Sequence, residues 1–102
     1  MAYSPFNLSG KVALVTGGNG GIGLGMADAM ARAGADIVIW GTNDEKNRAA
    51  AASLGQHGVR VHTRKVDVAN EVAVAEAMHD AVAKMGRVDA VFANAGIGSP
   101  AR

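Results

Sequence analysis

Residues 16–25 read Thr16-Gly17-Gly18-Asn19-Gly20-Gly21-Ile22-Gly23-Leu24-Gly25, and they hold six of the chain's 14 glycines. Just before them stands Val12-Ala13-Leu14-Val15, a short continuous apolar run of the kind found in a strand buried on both faces. Just after them, Ile22, Met26, Ala29, Met30 and Ala33 recur at three- and four-residue spacing. That spacing predicts a helix from about Gly21 to Ala33, with Gly34 as its stop. A helix N-terminus presents unpaired backbone N–H groups and a partial positive charge, and glycine lets a phosphate come close to them. Two frames overlap in the turn. Gly18, Gly20 and Gly23 fit G-x-G-x-x-G, while Gly17, Gly21 and Gly23 fit T-G-x-x-x-G-x-G. A flexible turn with its helix packed close to the strand would explain the glycines without any ligand. Their place between a buried strand and a helix favours a phosphate site, and no Gly-Lys-Ser/Thr follows, so the P-loop reading fails.

Working outward, Ile37, Val38, Ile39 and Trp40 form a second buried strand, which closes a unit of roughly 30 residues from Val12, the size of a dinucleotide-binding βαβ unit. Asn43 or Asp44 can cap the next helix, which runs through Ala49–Ala52 and stops near Gly55–Gly58. Val59, Val61, Val66 and Val68 mark a third strand, polar on one face where it begins. Asn70 reads as the N-cap of a third helix, with Glu71 in its first turn and Val72, Ala75, Met78, Val82 and Met85 as the inner stripe. Gly86 ends that helix, and Val88 with Ala90–Ala93 forms a fourth strand. The order β-α-β-α-β-α-β implies an α/β fold: a parallel, doubly wound sheet with right-handed crossovers and helices on its faces.

Composition narrows the function classes. The chain has 102 residues, 49% of them apolar and 19% charged, which suits one hydrophobic core and argues against disorder. It has no cysteine, so disulfides, thiol nucleophiles and thiolate metal sites are excluded, in keeping with a reducing cytosol. A net charge of +1 and 4% aromatic residues argue against a nucleic-acid surface. No run approaches the ~18 apolar residues of a membrane helix, and Met1–Gly10 lacks a signal-peptide layout, so the expectation is a cytoplasmic protein with no membrane partner. The spacing of His57, His62 and His79 suggests no metal site, and solvated or edge-packed histidines are expected. Glu71, Glu76, Asp80 and Lys84 read as a solvated helix face on which Asp80 and Lys84 make a favourable pair.

At this point the chain resembles the short-chain dehydrogenase/reductase family. The lead-in Leu8-Ser9-Gly10-Lys11-Val12-Ala13-Leu14-Val15-Thr16-Gly17 is similar to that family's opening strand. Thr16-Gly17 with Gly21-Ile22-Gly23 matches its T-G-x-x-x-G-I-G motif, Asp67-Val68 its Asp-Val pair, and Asn94-Ala95-Gly96 its N-A-G motif. The resemblance implies a Rossmann-type fold and an NAD(P)-dependent oxidoreductase that moves hydride between nicotinamide and an alcohol or carbonyl substrate. It implies that Gly17, Gly21 and Gly23 shape a pyrophosphate site, with Ile22 contributing backbone near the nicotinamide-side phosphate. Asp67 would accept from the adenine amino group and Val68 would lie beside the ring, although Asp67 could equally cap the turn into the third helix. Asn94, Ala95 and Gly96 would line the adenosine-ribose side, with Thr16 bonding into that loop, although Asn94 could equally tie the sheet together. An acid at the end of the second strand would bind a ribose 2′-hydroxyl and an arginine a 2′-phosphate. Here that end reads Trp40-Gly41-Thr42-Asn43, and neither residue is present. Gly41 stands where aspartate often sits in NAD-type members and Thr42 where arginine often sits in NADP-type members, and Asn19-Gly20 lacks the basic residue common in the latter. Asp44 and Glu45 would repel a phosphate and Lys46 would attract one. The balance leans to NAD over NADP.

The family's serine, tyrosine and lysine lie in the second half of a domain about twice this length. Tyr3 is followed four residues later by Asn7, not lysine, so no catalytic residue and no metal ligand is assigned. Residues 1–102 are therefore expected to be the N-terminal, cofactor-binding half of one domain. With the family strand order 3-2-1-4-5-6, the fourth strand would have an open edge, which invites self-association into a homo-oligomer. Alone, such a chain should be marginally stable and inert. Otherwise the rest of the polypeptide lies outside this sequence. The strand end is similar to that of members acting on sugar acids or 3-oxoacyl groups. The alternative is a non-catalytic nucleotide-binding or interaction module. A methyltransferase would share the glycine turn but not the Asn-Ala-Gly motif.

Overall fold

The computed structural model describes residues 7–94. The elements alternate as the periodicity predicts: β1 (Val12–Thr16), α1 (Gly21–Arg32), β2 (Asp36–Gly41), α2 (Asp44–Gly55), β3 (Val61–Lys65), α3 (Glu71–Met85) and β4 (Ala90–Ala93). All pairings are parallel, in the order β3-β2-β1-β4, and Thr16 sits level with Trp40 on one side and Ala93 on the other. The chain runs outward from β1 through β2 to β3, then crosses back to β4 on β1's other side. The strand order therefore reverses between β1 and β4, and a crevice opens outside the strand ends at such a point.

Successive residues of the central strands feed opposite faces. Val12, Leu14, Val38 and Trp40 pack under α3. Ala13, Val15, Ile37 and Ile39 pack under α1 and α2. This double burial is why β1 and β2 read as unbroken apolar runs. The edge strand β3 is shorter than the Val59–Val68 span predicted for it. Its ladder bonds extend only to the Arg60 carbonyl, which accepts from Ile37, and to the Val66 N–H, which donates to Gly41. Val68 lies beyond that point and is 43% exposed.

The inner faces of α1 and α3 also differ from the predicted stripes. α1 buries Gly23, Ala27 and Ala31, and Ile22 is 76% exposed. α3 buries Ala77, Ala81 and Met85, with Met78 partly buried, while Val72 and Val82 are largely exposed. Small residues every four positions let each helix axis approach the sheet closely, whereas larger side chains are carried to the flanks. Helix ends follow the predicted chemistry. The Asn43 side chain accepts from the Lys46 N–H, the Asn70 side chain accepts from the Ala73 N–H, and Gly86 closes α3 in the left-handed conformation.

Two of the three histidines are held by carboxylates. His57 bonds Asp28 at 2.7 Å, and His62 bonds Asp80 at 2.7 Å, while His79 is exposed on α3. Asp80 is thus more than part of a solvated face. It is half-buried and lies 3.6 Å from Arg64 and 3.7 Å from Lys84, fastening α3 to the edge strand. The hydrogen bond from His62 holds the Asp80 carboxyl below its ordinary value of 3.8 against the opposing effect of partial burial, with Lys84 and Arg64 helping. A carboxyl depressed in the folded state contributes stability above its unfolded value and loses that contribution as pH falls. Asp80→Asn should therefore lower stability at neutral pH and make acid unfolding below pH 3.8 less steep, as followed by circular dichroism across a pH series.

Candidate nucleotide-binding crevice

The C-terminal ends of β1, β2 and β3 meet the glycine-rich turn in a cleft of about 150 Å³. Gly17 and Asn19 line it from the turn, Gly41 and Thr42 from the end of β2, and Asp67 and Val68 from the segment after β3. Five of the predicted site residues, Gly17, Asn19, Thr42, Asp67 and Val68, are thus neighbours around one opening, with Gly41 beside them. Gly21, Ile22 and Gly23 start α1 beside it, and Asn94 follows β4 across the β1–β4 junction. Ala95 and Gly96, also expected in the site, lie outside the described residues, as does Tyr3.

Gly23 explains how the turn is held. A Cβ there would run into the Gly17 carbonyl and come within 2.8 Å of the Asn94 side-chain nitrogen. The first turn of α1 therefore lies against the strand-end backbone, an approach only a residue without a side chain permits. The N-terminus of α1 is also unlike the other two. Its N-cap is Gly20, no side chain caps it, and no acid lies in its first turn, while α2 and α3 carry asparagine caps and acids there. Thr16 joins β1 to β4, since its Oγ1 accepts from the Asn94 N–H at 2.9 Å.

Asp67 does close a turn: its Oδ1 accepts from the Ala69 N–H at 2.9 Å and its backbone carbonyl from the Asn70 N–H at 3.0 Å. Its second carboxylate oxygen has no hydrogen bond among the described residues, so capping leaves an acceptor on the cleft wall. Thr42, Asp44, Glu45 and Lys46 are all exposed at the mouth of the cleft and the start of α2.

Two residues of this region were not singled out from the sequence. Trp40 lines the cleft, and its Nε1 is buried with no hydrogen-bond partner among the described residues. Asn47 is 2% exposed, and it bonds the Asn19 side chain, the Gly41 carbonyl and the Arg64 carbonyl. The signal for Asn47 lay in the spacing of Asn47, Ala50 and Leu54, the buried face of α2, where an amide interrupts an apolar stripe.

The Gly23 contact yields a prediction whose sign opposes intrinsic propensity. Replacing glycine by alanine inside a helix ordinarily stabilises it by about 1 kcal/mol. Here the new methyl must displace backbone, and overpacking of this kind costs about 1–3 kcal/mol. Gly23→Ala should therefore lower the denaturant midpoint. An unchanged or raised midpoint would show that α1 does not press on Gly17.

The short chain dehydrogenase family profile matches residues 11–102. Sorbose reductase of Schizosaccharomyces pombe is 40% identical over 99 residues, which are 95% of this chain and 39% of that protein. Among solved structures, L-sorbose reductase of Gluconobacter frateurii complexed with NADPH and L-sorbose superposes with a TM-score of 0.88 and 38% identity. That superposition covers 94% of this chain and 37% of the reductase. An NAD+-bound xylitol dehydrogenase superposes with a TM-score of 0.81 and 37% identity, covering 87% and 34% of the two chains. The chain spans little more than a third of the length of the curated relatives it matches. With the reversal of strand order at the glycine turn, a close-packed α1 and a profile match along almost its whole length, this chain belongs to the short chain dehydrogenase family.

Proposed function

We propose that residues 1–102 are the dinucleotide-binding half of a cytoplasmic NAD(P)-dependent oxidoreductase whose substrate is an alcohol or carbonyl compound of the sugar, sugar-acid or 3-oxoacyl type. The observation that carries the reading is the bare start of α1 pressed against Gly17 at the strand reversal. Free N–H groups there, beside glycines that leave the backbone open, suit a pyrophosphate. Gly17, Gly21, Ile22 and Gly23 would hold that group. Asp67, with one oxygen left over from its turn, would accept from the adenine amino group, and Val68 would flank the ring. Asn94, followed by Ala95 and Gly96, would close the adenosine-ribose side. Asn19 and Thr42 would face the ribose at the end of β2.

For the cofactor, NAD is the better fit. Thr42 and Gly20 supply no cation for a 2′-phosphate, and Asp44 and Glu45 place two acids in the first turn of α2. A bound nicotinamide would supply or take the hydride, and the proton-handling groups would come from further chain. Exposed apolar surface supports such further chain. Val91 on β4 is 52% exposed, and Ala75, Met78 and Val82 line an open apolar face of α3. A parallel strand with an apolar free edge is ordinarily covered by another strand, either from the same polypeptide or from a second copy in a homo-oligomer.

Calorimetric titration with NADH and NADPH, run beside a turnover assay, tests the reading. The expected result is binding of both with NADH tighter, and turnover only from a polypeptide well above 10.3 kDa. Binding without turnover by a longer polypeptide would favour a non-catalytic nucleotide-binding module. Asp67→Ala should weaken NADH by about 10- to 100-fold, the loss of one hydrogen bond to a carboxylate. Unchanged affinity would remove Asp67 from the adenine pocket.

A further inference from the structure

We propose that Asn47, buried beneath the cleft and outside the glycine-rich turn, is a positioning residue that fixes the polarity of the Asn19 amide. Asn19 then presents its carbonyl oxygen to a ribose 2′-hydroxyl and so selects NAD over its 2′-phosphorylated analogue. The inference rests on the dinucleotide reading above.

An asparagine side chain has a donor end and an acceptor end of almost the same shape, so its direction is set by its partners. Asn47 leaves no freedom of choice. Two of its partners are the backbone carbonyls of Gly41, at 3.1 Å, and Arg64, at 3.5 Å, and a carbonyl can only accept. The Asn47 nitrogen must therefore face them. Its oxygen then faces Asn19 and accepts from the Asn19 nitrogen at 2.9 Å. With its nitrogen held against Asn47, Asn19 is oriented in turn, and its oxygen is the end left for a ligand in the cleft it lines. The polarity is relayed from two immovable carbonyls through one buried amide to a half-buried one.

Gly41 shows that this pair replaces the usual arrangement. An acid near the end of the second strand ordinarily accepts from the ribose 2′-hydroxyl. A Cβ at Gly41 would run into the Asn19 nitrogen and come within 2.5 Å of the Asn47 oxygen. A side chain on Gly41 and the Asn19–Asn47 pair therefore exclude one another. The acceptor that a strand-end acid would supply comes here from the glycine-rich turn. A hydroxyl can donate to the Asn19 oxygen, whereas a phosphate dianion can only accept and is repelled by it.

The test is a double-mutant cycle in the full polypeptide, with dissociation constants for NADH and NADPH measured by calorimetry on wild type, Asn19→Ala, Asn47→Ala and the double variant. Asn47→Ala should weaken NADH by about 5- to 10-fold, the loss of one well-placed hydrogen bond, and NADPH by less than about 2-fold. In the Asn19→Ala background the same change should alter NADH affinity by less than about 2-fold, because Asn47 acts through Asn19. A purely structural Asn47 would weaken both nucleotides alike and add fully to Asn19→Ala, and that result overturns the proposal. If Asn47→Ala does not fold, Asn47→Leu carries the comparison, because it keeps a side chain of similar volume and has no acceptor for Asn19. A wild-type protein that binds neither nucleotide defeats the dinucleotide reading itself. Binding with an unshifted NADH-to-NADPH ratio in the variants defeats only the role of Asn47.

Discussion

The contact between the start of α1 and the end of β1 governs the rest of the architecture. Gly23 lies so close to the Gly17 carbonyl that no side chain fits between them. From that point the buried face of α1 continues through Ala27 and Ala31, so the helix stays near the sheet along its length. The close approach sets the uncapped start of α1 beside the end of β1, where the strand order reverses. A larger residue at 23 would lift the helix and widen the crevice, and the dipole and unpaired donors at its end act only within about a turn. The packing that stabilises one face of the sheet and the geometry that could cradle a phosphate are one contact.

Much of this was legible in the residues themselves. The runs Val12–Val15 and Ile37–Trp40 are apolar at every position because both faces of a central parallel strand are covered, and the helices announce their ends through Gly34, Asn43, Asn70 and Gly86. What escaped periodicity was which face of each helix turns inward. Ranking by hydrophobicity selects Ile22, Val72 and Val82, yet these are exposed, and the buried positions are Gly23, Ala27, Ala31, Ala77 and Ala81. Close packing rewards small volume, so the most apolar side chain is not always the innermost. The gathering of Gly17, Asn19, Thr42 and Asp67 followed from motif order. The roles of Asn47 and Trp40 did not, because they depend on which backbone carbonyls surround a side chain, a property of register rather than composition.

The two faces of the sheet are finished to different degrees. On one, α1 and α2 lie over β1 and β2, with Leu54 of α2 in the core between them. On the other, α3 is the one helix among the described residues that covers Val12, Leu14, Val38 and Trp40, and Val72, Val82 and Val91 on the edge of β4 are exposed. Helices that bridge successive parallel strands in one direction lie on one face, because the crossovers share a hand. A strand added beyond β4 would therefore bring its helix to the side of α3, over the apolar surface now exposed.

Asn47 sharpens what holding a site together means in such a fold. Burying an amide without partners costs about 1–3 kcal/mol, so a buried asparagine is tolerated only where its bonds are met. At this position both donors and the acceptor are engaged, with the ends of β2 and β3 on one side and the glycine-rich turn on the other. The amide links three chain segments, distant in sequence, that all contribute to the cleft. Its orientation is dictated by carbonyls that cannot turn, and it passes that orientation to the half-buried Asn19 amide.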